Sequence, residues 1–453
     1  MTTDRPSRIA FVSTYLPRHC GIATFTHDLR TAMAHAAPDI QTLVCAVDNE
    51  GLDYDGQAAF VIGQHTMADY PAAAERIARA GVDAVVIEHE YGIFGGPDGD
   101  WINLFAERLT ELGVPYLVTL HTVLSHPSPG QASALGRLCR GADAVAVFTP
   151  VARTLVTSTG MATADRIFIV PHGAPTALRE DWDRPHVPGP RRGAGAGVGT
   201  GTAGGVRPEV AEVLAEGAQS RIVSTFGLIS PGKGLEVAVE AVANLAEEHP
   251  DLVYVIAGAT HPEVAKQHGE DYRDRLTGLV AELGVQDRVR FLDFFLTDEE
   301  IAALLAATEV FLTPYHSTEQ ISSGALTFAV AAGCPVVSTS YRYAQDLLRT
   351  GAGNVVEPGD SAAFAEGLRA LLADPERLHA AQAAAHSVGA TLGWPSVARQ
   401  FAGVVRDMTA DRARRRALLG ARTQYSPDRA HPTPSAGFVG RGWEKSQDPA
   451  RAV

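Results

Sequence analysis

The sequence predicts two doubly wound α/β domains that face one another across a cleft. Three observations carry this. Short runs rich in Val, Ile and Leu alternate with helical stretches, the alternation occurs twice, and one glycine-rich segment separates the two series. The first series is RIAFVSTY, QTLVCAVD, DAVVIEHE, PYLVTLHT, DAVAVFTP and RIFIVPHG. The second is RIVSTFGLI, LVYVIAGAT, RVRFLDFF, VFLTPYH, PVVSTSY and GNVVEPGD. Apolar strands with helices between them belong in parallel sheets covered on both faces, here six strands to a sheet. A chain of 453 residues exceeds one ordinary core and suits two.

The first domain is predicted over 1–184 and the second over 220–392. Between them, 185–219 contains PHVPGPRRGAGAGVGTGTAGGVRPEV, whose glycine content cannot support a packed element, so it reads as a linker insertion. Its GVGTGTAGG is not a dinucleotide fingerprint, because no strand leads into it and no acidic residue follows at ribose distance. TLGWPSVARQFAGVVRDM has helical spacing, and 393–411 is predicted as a helix that returns to the first domain or closes the second. From 412 to 453 there are nine basic and three acidic side chains, a charge of +6 in a chain of −14. This stretch is rich in Arg, Pro and Ser and lacks periodicity, which predicts a disordered tail whose binding role is limited to weak contact with an anionic surface. The remaining body, at −20, is a poor partner for nucleic acid.

Cys20, Cys45, Cys139 and Cys334 have no paired spacing, which argues against both a disulfide framework and a zinc site. The sequence contains no uninterrupted apolar run of membrane-spanning length, and a strand follows MTTDRPS almost at once, so a cytoplasmic protein is expected.

Ligands of open parallel sheets bind beyond the carboxyl ends of the strands, and the polar residues collect there. The first series contributes Arg18, His19 and Gly21 in TYLPRHCG, His89 and Glu90 in EHEYGIFGG, His121 in LHT, and His172 with Gly173 in PHG. The second contributes Lys233 in SPGKG, then Glu319, Gln320, Ser322, Ser323 and Gly324 in STEQISSG, then Arg342 and Asp346 in YRYAQD. Gly227, Gly232 and Lys233 have the spacing of a P-loop, but Gly234 stands where that loop needs a hydroxyl for magnesium. What is left is a tight turn with one ammonium group beside a helix start, which suits a phosphate without a metal. Lys233 is one of only three lysines, with Lys266 and Lys445. ISSG reads in two ways: as amides and hydroxyls for phosphate or sugar oxygens, or as a serine N-cap.

The succession of a glycine loop, LHT, PHG, GLISPGKGLEVAVEA, PYHSTEQISSGALTFAVAAGCPVVST and NVVEPGDSAAFAEGLRALLADPE resembles the GT-B glycosyltransferases of family 4, over residues 8 to about 410. The resemblance implies the GT-B fold and retaining transfer of a hexose, mannose or glucose, from a GDP- or UDP-sugar to a hydroxyl of a carbohydrate-type acceptor. The nucleotide sugar is a co-substrate and no further cofactor is implied. By resemblance His121, Lys233 and Arg342 take the catalytic places. Gly21, Lys233, Glu319, Gln320, Ser322, Ser323, Gly324 and Asp346 face the donor, and Arg18, His19, His89, Glu90 and His172 lie on the acceptor side.

The sequence also departs from the pattern. Leu228 stands where the family has an arginine facing the diphosphate, and Arg342 is expected to supply that charge across the cleft. Gln320 and Phe328 stand where the family has two glutamates, with Glu319 one residue before the first. No aspartate pair suited to a metal-dependent transferase is seen, so metal-independent chemistry is expected. The alternatives are a non-catalytic sugar- or nucleotide-binding protein, a sugar-nucleotide epimerase and a phosphorylase.

Overall fold

The computed structural model describes residues 8–179, 205–217 and 220–424. The first sheet contains β1 (Arg8–Ser13), β2 (Gln41–Asp48), β3 (Phe60–Gly63), β4 (Ala84–His89), β5 (Tyr116–Leu120), β6 (Ala144–Val147) and β7 (Ile167–Ile169). The second contains β8 (Arg221–Phe226), β9 (Leu252–Ala257), β10 (Val289–Leu292), β11 (Thr308–Thr313), β12 (Val336–Thr339) and β13 (Gly353–Val356). The orders are β3-β2-β1-β4-β5-β6-β7 and β10-β9-β8-β11-β12-β13. Every pairing is parallel, for example Phe11 with Val44 and Val86, and Ser224 with Val255.

The first sheet thus has seven strands where six were expected. The addition is FVIG at 60–63, an edge strand that pairs only with β2 and buries one of its four residues. A run this short has no readable period, and it is the neighbouring strand that makes it extended. In both sheets the chain order reverses at the first strand: β1 lies between β2 and β4, and β8 between β9 and β11. The crevices of the two domains therefore open beside the loops that follow β1, β4, β8 and β11, which carry most of the predicted polar residues.

Between the predicted domains, 185–204 lies outside the described residues, but the end of that segment is not empty of structure. Pro208–Glu216 is a helix with proline in its first turn and Val210 and Val213 buried. The apolar spacing of PEVAEVLAE supplies a face to bury once the second domain is there to receive it.

The last helix is Trp394–Gln424, longer than the 393–411 expected. Its part up to Arg412 lies on the first domain: the Phe401 ring stacks 6.2 Å from Phe11, Arg406 donates to Asp39 at 2.7 Å, and Arg412 donates to Asp143 at 2.5 Å. Residues up to Arg412 form one compact unit, and a second begins at Ala413, its described part being the end of this helix. The two crossings between the domains are tied together, since the Ala174 amide donates to Leu392 O (2.8 Å) and the Trp394 amide to Ala174 O (3.0 Å). The glycine of PHG is needed here, because a Cβ on Gly173 would lie 2.0 Å from the Trp394 ring.

Candidate active site

The SPGKG turn leaves β8 and ends in a left-handed residue, Gly234 at φ 59° and ψ 31°. A Cβ there would stand 2.2 Å from the Pro314 carbonyl oxygen. Backbone proximity thus demands glycine where a P-loop has its hydroxyl. Lys233 sends its ammonium over the Tyr315 ring, 4.1 Å from the centroid, and forms no ion pair among the described residues. At the start of the next helix the Leu235 amide donates to Tyr272 Oη (3.0 Å), which in turn donates to Glu236 Oε2 (2.6 Å). The other oxygen of Glu236 accepts from His316 Nε2 at 2.7 Å.

Much of the polar set of the second domain reaches into the first. Glu319 Oε2 accepts from the Ser125 amide (2.7 Å) and hydroxyl (2.6 Å), while Oε1 accepts from Arg342 Nη2 at 3.2 Å. Burial alone would raise the Glu319 carboxyl, but the Ser125 hydrogen bonds and the Arg342 charge outweigh it and hold the pKa below the usual range. Arg342, expected to be the free second charge of the diphosphate site, is instead paired with Glu319. Asp346 Oδ2 accepts the Val151 amide at 2.9 Å, in the first turn of the helix Pro150–Ser158. Ser322 Oγ donates to the His121 carbonyl at 3.0 Å. Gln320 folds back, its Nε2 donating to Ser322 O at 2.7 Å. Ser323 caps the helix Gly324–Ala331, accepting the Leu326 amide, so the capping reading of ISSG describes Ser323 while Ser322 faces the other domain.

In the first domain, His121 lies just past β5 and its Nε2 donates to Glu88 Oε2 at 2.9 Å; the ring is 7% exposed and Glu88 fully buried. A carboxylate can only accept, so this bond sets the tautomer of the histidine. His121 also donates its amide to His89 O (3.0 Å). Phe25 packs edge-on against His121, His172 and Trp394, and Phe148 against His121. His172 lies over Gly324 of the second domain, and Phe328 lies 6.4 Å from its ring. Phe328 therefore packs into an aromatic seam between the domains. Burial pushes the His172 pKa down to about 4, against its hydrogen bond to Gly173 O.

His89 does not lie open to an acceptor. It is 1% exposed, against Tyr91 and Phe94, and burial followed by the His121 charge pushes its pKa down to about 3. Glu90 accepts from the Tyr91 amide (2.9 Å) and from Thr122 Oγ1 (2.5 Å). Gly21 begins the helix Gly21–Ala36 with a negative φ and open space around the place of a Cβ, so no backbone strain requires glycine there. His19 is exposed and stacks 5.1 Å from Phe295 of the second domain, and its neighbour Arg18 is part-buried. Glu88, Ser125, Tyr315 and Trp394 escaped the sequence reading. Glu88 lies inside a strand otherwise read as apolar, and Ser125 carries no pattern.

No three His, Cys, Asp or Glu residues are grouped as metal ligands among the described residues, and no described helix is long and apolar enough to cross a membrane.

Residues 206–388 match the family model described as glycosyl transferases group 1. Named relatives agree. The D-inositol 3-phosphate glycosyltransferase of Thermobispora bispora is 30% identical over 210 residues, 45% of this chain and 47% of that one. Its namesake from Corynebacterium efficiens is 27% identical over 372 residues, 79% of each chain. The chain thus spans about half the length of the first relative and about four fifths of the second. Among solved structures, Anabaena HepE in complex with UDP superposes with a TM-score of 0.67 at 17% identity, covering 88% of this chain and all of that one. Sucrose-phosphate synthase from Thermosynechococcus elongatus gives 0.64 at 17%, covering 92% and 100%. These likenesses bear out the GT-B fold. Within the matched residues 206–388 lie Lys233, Glu319, Gln320, Ser322, Ser323, Gly324, Arg342 and Asp346, whereas His121 and His172 meet this part of the chain from the other side of the seam.

Proposed function

We propose that the protein is a glycosyltransferase that moves a hexose from a nucleotide-diphosphate sugar to a hydroxyl of a carbohydrate-type acceptor, with retention and without a metal ion. The observation that carries this reading is Lys233, an ammonium with no carboxylate partner among the described residues, held at the mouth of the crevice beside a glycine that the backbone demands. Uridine nucleotides are favoured over guanosine ones, since structures of Anabaena HepE hold UDP and UDP-glucose.

In such a transfer negative charge grows on the departing diphosphate. The Lys233 ammonium stabilises it, and being fixed beforehand it needs no reorganisation as the bond breaks. The leaving phosphate itself accepts the proton of the acceptor hydroxyl. His121, its tautomer set by Glu88, is the polar group of the first domain assigned to the transferred sugar. Incubation with UDP-glucose, GDP-mannose and a panel of sugar and sugar-phosphate acceptors, read by nucleotide release and by the anomeric configuration of the product, tests this. Turnover lost to a chelator and restored by manganese would refute metal independence.

A second reading, a non-catalytic binding protein, is favoured by one observation. Glu319, Arg342 and Asp346, three residues assigned to the donor, are occupied by contacts between the domains or with one another. Nucleotide binding without nucleotide release across the panel would select it.

A further inference from the structure

Glu236 stands where a carboxylate is unexpected. It follows Lys233 by three residues, beside the ammonium proposed above to meet a diphosphate, yet the two form no ion pair among the described residues. A negative charge there opposes an anionic ligand. A carboxylate in the first turn of a helix suits the helix dipole, but both oxygens of this one are taken by side chains from elsewhere in the domain. Oε1 accepts from His316 Nε2 at 2.7 Å and Oε2 from Tyr272 Oη at 2.6 Å, so Glu236 joins residues 80 and 36 positions away. Each partner in turn grips the backbone on one side of the lysine: the His316 amide donates to Gly232 O (3.2 Å), and Tyr272 Oη accepts the Leu235 amide (3.0 Å). Lys233 lies between the two grips. Its ammonium is seated by the same segment that carries His316, 4.1 Å from the centroid of the Tyr315 ring, and that buried ring stacks on the buried ring of Tyr341 at 5.1 Å and 19°. A ring packed in this way does not swing aside, so the register of the turn against the 315–316 segment decides where the ammonium points.

We propose that Glu236 is a positioning residue: it bolts the Lys233 turn to the Tyr315–His316 segment and so fixes the direction of the ammonium. The proposal rests on the donor reading above and adds to it a residue that touches no substrate. Hydrogen bonds to an ionised acceptor are the stronger kind, which is why a carboxylate serves here in spite of its charge.

Two readouts on the full chain test it. In calorimetry with UDP, removing a carboxylate beside an anion should tighten binding by charge alone, whereas loss of position should weaken it, so the two effects differ in sign. Glu236→Ala is expected to weaken the UDP Kd about fivefold or more, and Glu236→Gln, which keeps hydrogen-bonding atoms for the same partners, to stay within about threefold of the wild type. An unchanged or tighter Kd in Glu236→Ala would overturn the proposal. The second readout needs no ligand. The chain has only three lysines, Lys233, Lys266 and Lys445, so reductive methylation with isotope-labelled formaldehyde gives three lysine signals by NMR, and Lys233→Arg assigns one of them. The Lys233 methyl groups should resonate upfield of the other two, under the ring current of Tyr315, and Glu236→Ala should remove most of that displacement. A Lys233 signal in the same place in both proteins would overturn the proposal. A wild type that does not bind UDP, but whose Lys233 signal moves in Glu236→Ala, would sink the donor reading and uphold the positioning role. Should Glu236→Ala fail to fold, Tyr272→Phe, which removes one hydroxyl, is expected to move both readouts in the same direction by less.

Discussion

The loops that follow the first strand of each sheet, 14–20 after β1 and 227–234 after β8, hold the same topological place, yet only the first adds a contact with the other domain to the bonds of its own. The second is fixed within its own domain. Gly227 donates to Ala257 O (2.9 Å), Ile229 to Ala259 O (2.8 Å) and Lys233 to Ser230 O (3.0 Å), and Gly234 lies against the Pro314 carbonyl. The first has a turn bond from the Arg18 amide to Tyr15 O (3.1 Å) and is tied to its own first helix through Tyr15 Oη, which meets His27 Nδ1 (3.1 Å) and accepts from Arg30 Nη1 (2.9 Å), and it also touches Phe295 of the other domain. The place of Lys233 is thus set by its own domain, whereas the loop of Arg18, though rooted in the first domain through Tyr15, also touches the second through His19.

The largest test of this contrast is catalytic. Lys233→Ala should lower kcat/KM by about 10²–10³, the size expected when one fixed stabiliser of a developing anion is lost; a fall below tenfold would remove Lys233 from the site. Next comes the brace itself. Gly234→Val should cost about 1–3 kcal/mol or more in urea denaturation, from its left-handed backbone and the Pro314 oxygen, while Gly21→Ala should stay within about 0.5 kcal/mol. Equal losses at the two glycines would erase the difference between the loops.

A smaller effect sharpens the cross-domain side. Asp28, on the first helix, has its pKa raised from 3.8 to about 7, by burial first and then by the charge of Asp298 on the second domain, against the Trp394 indole. The folded chain keeps this proton over a range in which the unfolded chain has lost it, so stability is full below about pH 4 and declines as pH rises through 7. Asp28→Asn should therefore raise Tm at pH 8 and leave it nearly unchanged at pH 4, and an unchanged slope between those values would count against it. The smallest expected change is in Arg342→Ala. Its partner is Glu319, not the donor, so UDP affinity should move less than about threefold by calorimetry; a tenfold loss would restore Arg342 to the diphosphate.

The sheets were legible because strands between helical layers are rich in Val, Ile and Leu, and twelve of the thirteen described strands fall in such runs. FVIG at 60–63 does not, being a short edge held by one neighbour. Within the site, the loops bearing Lys233, His121 and the ISSG serines were readable, since glycine, hydroxyl and charge gather where strands end. Their partners were not. Glu319 is 194 positions from Ser125, and Asp346 is 195 from Val151, so nothing local ties one to the other. Glu88 was hidden in a run of strand residues, and its meaning emerges only when β4 and β5 place it beside His121.

The order of residues alone determined the alternation of strand and helix, the two series of parallel strands and the turn that carries Lys233, because each depends on period, glycine and charge within a few positions. Only the tertiary structure decided which charges stay free. Partners are a matter of distance in space: Glu319 of the same domain takes Arg342, the Val151 amide across the seam takes Asp346, and Arg18 and Lys233 form no ion pair among the described residues.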